Sequence, residues 1–74
     1  MTYSVWETDS ANILGTFESE AEALALVRDI AARMGAAYVD TFSLTTTNAD
    51  GFVEGIAAGA ELLALALRHP AAPR

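Results

Sequence analysis

Glu7, Asp9, Asp40 and Glu54 are the side chains best placed for acid–base chemistry, because each lies on or beside a run of strand-forming residues. Two carboxylates can share general acid and base roles when they are held together and one is desolvated. No spacing here brings two of these four together, and no apolar run implies a pocket that raises a pKa. Their expected place is a solvated sheet face or edge. Asp40 is the one to follow. Alternation puts it on a face with Tyr38, Phe42 and Leu44, where it needs a rim position or a partner such as Arg28 or Arg33.

Residues 46–51 have the flavour of a calcium loop, which wants oxygen ligands at its positions 1, 3 and 5, Gly at 6 and Glu at 12. Asn48, Asp50 and Gly51 fit, but the first position is Thr46 and the twelfth is Ala57, so both charged anchors are missing and a hairpin turn is expected. His69, the sole histidine, is expected to cap a helix C-terminus. Ser4, Ser10 and Ser43 have no neighbouring base, Ser19 is used as a helix cap, and no glycine-rich phosphate loop is present. The residues therefore imply no catalytic set, no metal site and no cofactor.

Composition narrows the class. A chain of 74 residues has room for one core. Chains this small gain stability from disulfides, a metal or self-association, and with no cysteine and one histidine only the last stays open. Four basic residues against ten acidic give a net charge of −6, which argues against a nucleic-acid partner. The opening residues lack the basic start and apolar stretch of a signal peptide, and no apolar run approaches the ~20 residues that span a bilayer. A soluble cytoplasmic protein that binds no membrane is the expectation.

Two helices and four strands must position these residues. Residues 2–8 alternate, with Tyr3 and Val5 on one face and Ser4, Trp6 and Thr8 on the other. The segment from Asp9 to Asn12 is a turn, with Asp9 bonding amides and Asn12 in the left-handed region. Residues 13–17 return, with Ile13, Gly15 and Phe17 on one face; Gly15 marks a bulge or a close approach. Ser19 and Glu22 form a capping box. Ala23, Leu24, Leu26, Val27, Ile30, Ala31 and Met34 make the apolar arc of the helix that follows, and Gly35 stops it. Residues 38–46 read as a long strand. Asn48 opens a second turn closed by Gly51, residues 52–56 return, and a second helix covers about 58–68.

That second helix is apolar nearly all round, with only Glu61 and Arg68 marking a polar stripe. A helix apolar on most sides must be covered on most sides, which points to a second chain. Leu62, Leu63, Leu65 and Leu67 are the interface candidates, and Leu62→Glu or Leu65→Glu is expected to break association while folding survives. Trp6 is the other candidate. If the helices cover the Tyr3/Val5 face, it is left outside as an anchor of the kind enriched in interface hot spots.

The two halves match. A shift of 39 residues places Tyr3 on Phe42, Val5 on Leu44, Asn12 on Gly51, Phe17 on Ile56 and Glu22 on Glu61 without a gap. The strings from Tyr3 to Glu7, from Gly15 to Ser19 and from Gly59 to Leu62 resemble short bacterial proteins of unknown function built as strand–turn–strand and capped helix, repeated. The resemblance implies a fold and no activity. A looser likeness to HicB-type antitoxins lacks that group's connection between hairpin and helix and its DNA-binding tail.

The expectation is a single α+β domain over residues 1–69, with ββα units at 2–35 and 38–69 and a short tail at 70–74. Its four-stranded, mostly antiparallel sheet carries both helices on one face, as two hairpins side by side. In function it reads as a non-enzymatic protein–protein interaction or self-assembling module, with a homo-oligomer or one protein partner. The alternative is a small-molecule binder or enzyme whose site forms at a subunit interface around Asp40, Glu54 or Trp6.

Overall fold

A computed structural model describes residues 1–68, so His69 and the tail at 70–74 lie outside the described residues. The elements are β1 (Thr2–Glu7), β2 (Asn12–Phe17), α1 (Glu20–Met34), a 3-10 segment (Ala36–Thr41), β3 (Phe42–Thr47), β4 (Val53–Ala58) and α2 (Gly59–Arg68). All neighbouring strands pair antiparallel, in the order β2-β1-β3-β4. Two hairpins thus lie side by side, joined through β1 and β3.

The local chemistry behind each element is visible. At α1, the Glu22 amide donates to Ser19 Oγ at 3.2 Å, and the Ser19 hydroxyl donates to the Glu22 carboxylate at 3.0 Å. Gly35 ends the helix at φ 99°, a conformation that costs a Cβ-bearing residue dearly. At the second hairpin, Asn48 Oδ1 accepts from the amides of Asp50 (2.9 Å) and Phe52 (3.1 Å), and Gly51 takes φ 88°. That is the turn its residue types dictate.

Both helices pack on one face of the sheet. Val5, Phe42 and Leu44 meet Ala23, Leu24 and Val27 of α1 and Leu62 and Ala66 of α2, all buried. Burying a side chain such as Leu or Val contributes about 1.5–3 kcal/mol. Met34, placed by periodicity on the buried arc, is 60% exposed, because the helix runs past the edge of its cover.

The pairing register gives the repeat a physical form. Val5 and Leu44, equivalent by the shift of the halves, also pair with each other across the central β1–β3 ladder. An approximate two-fold axis therefore passes through that pair. Both hairpins carry an irregularity at the same place, between Val5 and Trp6 and between Leu44 and Thr45. Gly15 is the partner of Val5 and Ala57 the partner of Leu44, so the outer strands do not follow the gapless shift. On the turn side of that irregularity the second hairpin has one more residue pair than the first, and its loop is longer. The link into its helix is shorter, since α2 begins directly after β4 whereas Glu18 and Ser19 separate β2 from α1.

The long strand expected over 38–46 is a correction. Residues 36–41 form the 3-10 segment instead, and β3 begins at Phe42. The pairing with β1 begins at Glu7–Phe42, and the next carbonyl, Thr41 O, accepts from the Thr8 amide as the chain turns away. The tighter coil also buries Val39 between the helices, where an extended chain has no sheet neighbour to pair with.

Candidate functional site

The face of the sheet opposite the helices is uncovered. β1 presents Thr2, Ser4 and Trp6 there, and β3 presents Ser43, Thr45 and Thr47, each opposite its partner in the ladder. β2 adds Ile13 and Thr16. β4 adds Val53, Gly55 and Ala58. None of these positions carries a charge, although charged residues make up 19% of the chain.

Trp6 lies on the inner strand β1, half-buried, and its Nε1–H donates to Thr45 Oγ1 at 2.9 Å. The bond satisfies the one polar atom of the indole and holds the ring across the sheet. With Thr8, Ala11, Ser43, Thr45 and Val53, Trp6 lines a shallow concavity of about 250 Å³. Ile13 is 52% exposed and Val53 62% exposed.

Ile13 is on this face because of a bulge that alternation alone does not reveal. Gly15 pairs with Val5 and Ile13 with Trp6, so Leu14 is an extra residue between them. The bulge sends Ile13 to the open face while Gly15 and Phe17 stay on the helix side, against the expectation of one shared face. A Cβ at Gly15 would lie 2.8 Å from the far edge of the Phe17 ring, which would have to shift to admit it. Gly15 is both the bulge and the close approach that a glycine in a strand signals.

The sequence candidates on α2 fare differently. Leu62 is wholly buried in the chain's own core, and Leu63 and Leu65 are partly buried against it. Only Leu67 is exposed, at 63%. Much of the cover expected from a second chain is supplied within this one by α1, the 3-10 segment, β3 and β4. Leu62→Glu therefore places a charge in the core and cannot spare folding.

Asp40 and Glu54 are exposed, and neither lines the open-face concavity that Trp6 lines. The structure does not bring the three together. Arg33 is paired with Asp29 on α1, and Arg28 donates to the Ala66 carbonyl at 3.4 Å. Among the described residues no cluster of three or more His, Asp or Glu side chains is placed to hold a metal ion.

Glu7, expected as a solvated edge charge, also organises the first turn. Its carboxylate accepts from the Ser10 hydroxyl at 2.5 Å and from the amides of Ser10 (2.9 Å) and Asp9 (3.2 Å). The Ser10 hydroxyl first, then that of Thr41 and the amides, lower its pKa from 4.5 to about 2. Glu7 also borders a groove of about 430 Å³ with Asn12, Leu14, Tyr38 and Thr41. Leu14 and Tyr38 continue it into an apolar hollow of about 350 Å³ beside Ile30 and Met34. Since the Glu7 carboxylate is committed to the turn, this groove offers shape more than chemistry.

The fold and its uncovered face define an α+β domain with one packed and one bare side. Comparison with family models, with curated proteins and with solved structures gives no match. Among the described residues no helix is long and apolar enough to cross a membrane.

Proposed function

We propose that the chain is a non-enzymatic protein–protein interaction module that works through the open face of its sheet. The observation that supports this is the asymmetry of the sheet: helices on one side, and on the other an uncharged surface that carries Trp6 and the exposed Ile13 and Val53. An antiparallel sheet can face water on one side, but that side is then ordinarily polar. Here it combines hydroxyls, an aromatic and two aliphatic side chains with no charge, sharing with an interface core its lack of charge and its aromatic anchor while being richer in hydroxyls. Lack of cysteine is in keeping with a reducing, cytoplasmic setting.

The test is affinity capture from the native cell with the wild-type chain and with Val53→Glu as baits. Val53 is 62% exposed, so the substitution spares the fold. Proteins, further copies of this chain included, that the wild type retains and the variant loses support the reading. Identical sets from both baits, or none from either, contradict it.

A further inference from the structure

We infer that the open face is built to stack on the same face of a second copy of this chain, giving a two-fold dimer with the helices outward. The inference rests on the open face being the contact surface, and it names the occupant.

Charge is the first argument. At −6, two copies repel each other, and a contact between them is least opposed where neither contributes charge. The open face is such a place, and it is wide. A basic partner, the natural complement of an acidic protein, is matched by carboxylates, and this face has none.

Hydrogen-bonding capacity is the second. An isologous interface must be complementary to itself. Ser and Thr hydroxyls both donate and accept, so a surface of Ser4, Thr16, Ser43, Thr45 and Thr47 can pair with its own copy, which ammonium or carboxylate groups cannot do. Trp6, Ile13 and Val53 supply the apolar contact.

Size sets the strength. Strands about 4.8 Å apart and six residues rising about 3.3 Å each make a face of roughly 19 by 20 Å, about 400 Å² in projection. That is a small footprint for a protein interface, so a weak, concentration-dependent dimer is expected.

The acidic turns set the orientation. Because β1 and β3 run antiparallel, Glu7 and Asp9 lie at one end of the sheet and Asp50 at the other. Sheets stacked with strands aligned bring acidic ends together, whereas sheets crossed near a right angle separate them. The crossed arrangement is the one the charges favour, and salt then tightens the dimer by screening the remaining repulsion.

The experiment is sedimentation equilibrium of the purified full chain over about a hundredfold dilution, at low and high salt, since a dimer's population depends on concentration. The variants are Ser4→Glu at the centre of the face, Val53→Glu at its edge, and Leu67→Glu on α2. The expected result is a reversible monomer–dimer equilibrium that strengthens with salt. Ser4→Glu and Val53→Glu weaken it by about tenfold or more, about 1.4 kcal/mol, and Leu67→Glu leaves it unchanged, all variants keeping the wild-type circular dichroism. A wild-type monomer at every concentration overturns the inference, as does an association that Leu67→Glu breaks and Ser4→Glu does not. In the first case the capture experiment still decides whether the open face serves a different protein, so the two readings fail separately.

Discussion

Glu7 does for the first hairpin what Asn48 does for the second. Each places a side-chain oxygen where it collects turn amides, Glu7 from Asp9 and Ser10 and Asn48 from Asp50 and Phe52. The Glu7 pKa is lowered, so its contribution to stability is fully present above about pH 4.5 and is lost as pH falls through about 2. Wild type is therefore expected to be more stable than Glu7→Gln at neutral pH, with the gap closing only towards pH 2 in denaturant titrations. A gap already closed at pH 4 contradicts this. Ala11, not Asn12, takes the left-handed conformation at this turn, with φ 58°. Such a φ costs an L-residue roughly 1–2 kcal/mol, partly offset in glycine by its larger unfolded-state entropy. Ala11→Gly is expected to stabilise the chain by about 0.5–1 kcal/mol, and a loss of stability on denaturation contradicts that.

At the scale of elements, what the sequence discloses is what local chemistry decides. Ser19, Glu22 and Gly35 delimit α1, and Asn48 and Gly51 make the second turn, because caps and turns are set by a few neighbouring groups. The 3-10 segment was hidden since Tyr38, Val39 and Thr41 are strand-forming types, and only the position of β1 denies them a sheet partner. Gly15 signalled an irregularity in the first hairpin but not that Leu14 is the extra residue, and nothing signalled Ile56, because register is a property of two strands. Gly59 shows how close the elements come. It has φ 57°, and a Cβ there would stand 3.3 Å from the Asp40 carbonyl oxygen. Gly59→Ala is expected to cost about 1–2 kcal/mol from the backbone conformation alone. Leu62→Ala, which empties a wholly buried site, is expected to cost about 2–5 kcal/mol. Thermal or chemical denaturation checks both, and wild-type stability in either variant contradicts the packing described.

At the scale of the molecule, the second helix is covered by its own chain more fully than its sequence alone suggests. Its apolar girth is absorbed largely by its own chain, leaving Leu67 and small alanines outside, while the sheet keeps a broad bare face. The alternation in β1 made Trp6 a candidate, but which face the helices cover depends on the joint pattern of β1 and β3. With Val5, Phe42 and Leu44 inward, Trp6 must face out. Trp6 is the only tryptophan, so its fluorescence reports on that face alone. The measurement to make is acrylamide quenching of Trp6 across a concentration series, with the mass in solution followed in parallel. If the open face is the contact surface, Trp6 becomes shielded and its emission shifts to the blue as the associated species forms. If the mass rises while quenching stays constant, association uses another surface and the open-face reading is wrong.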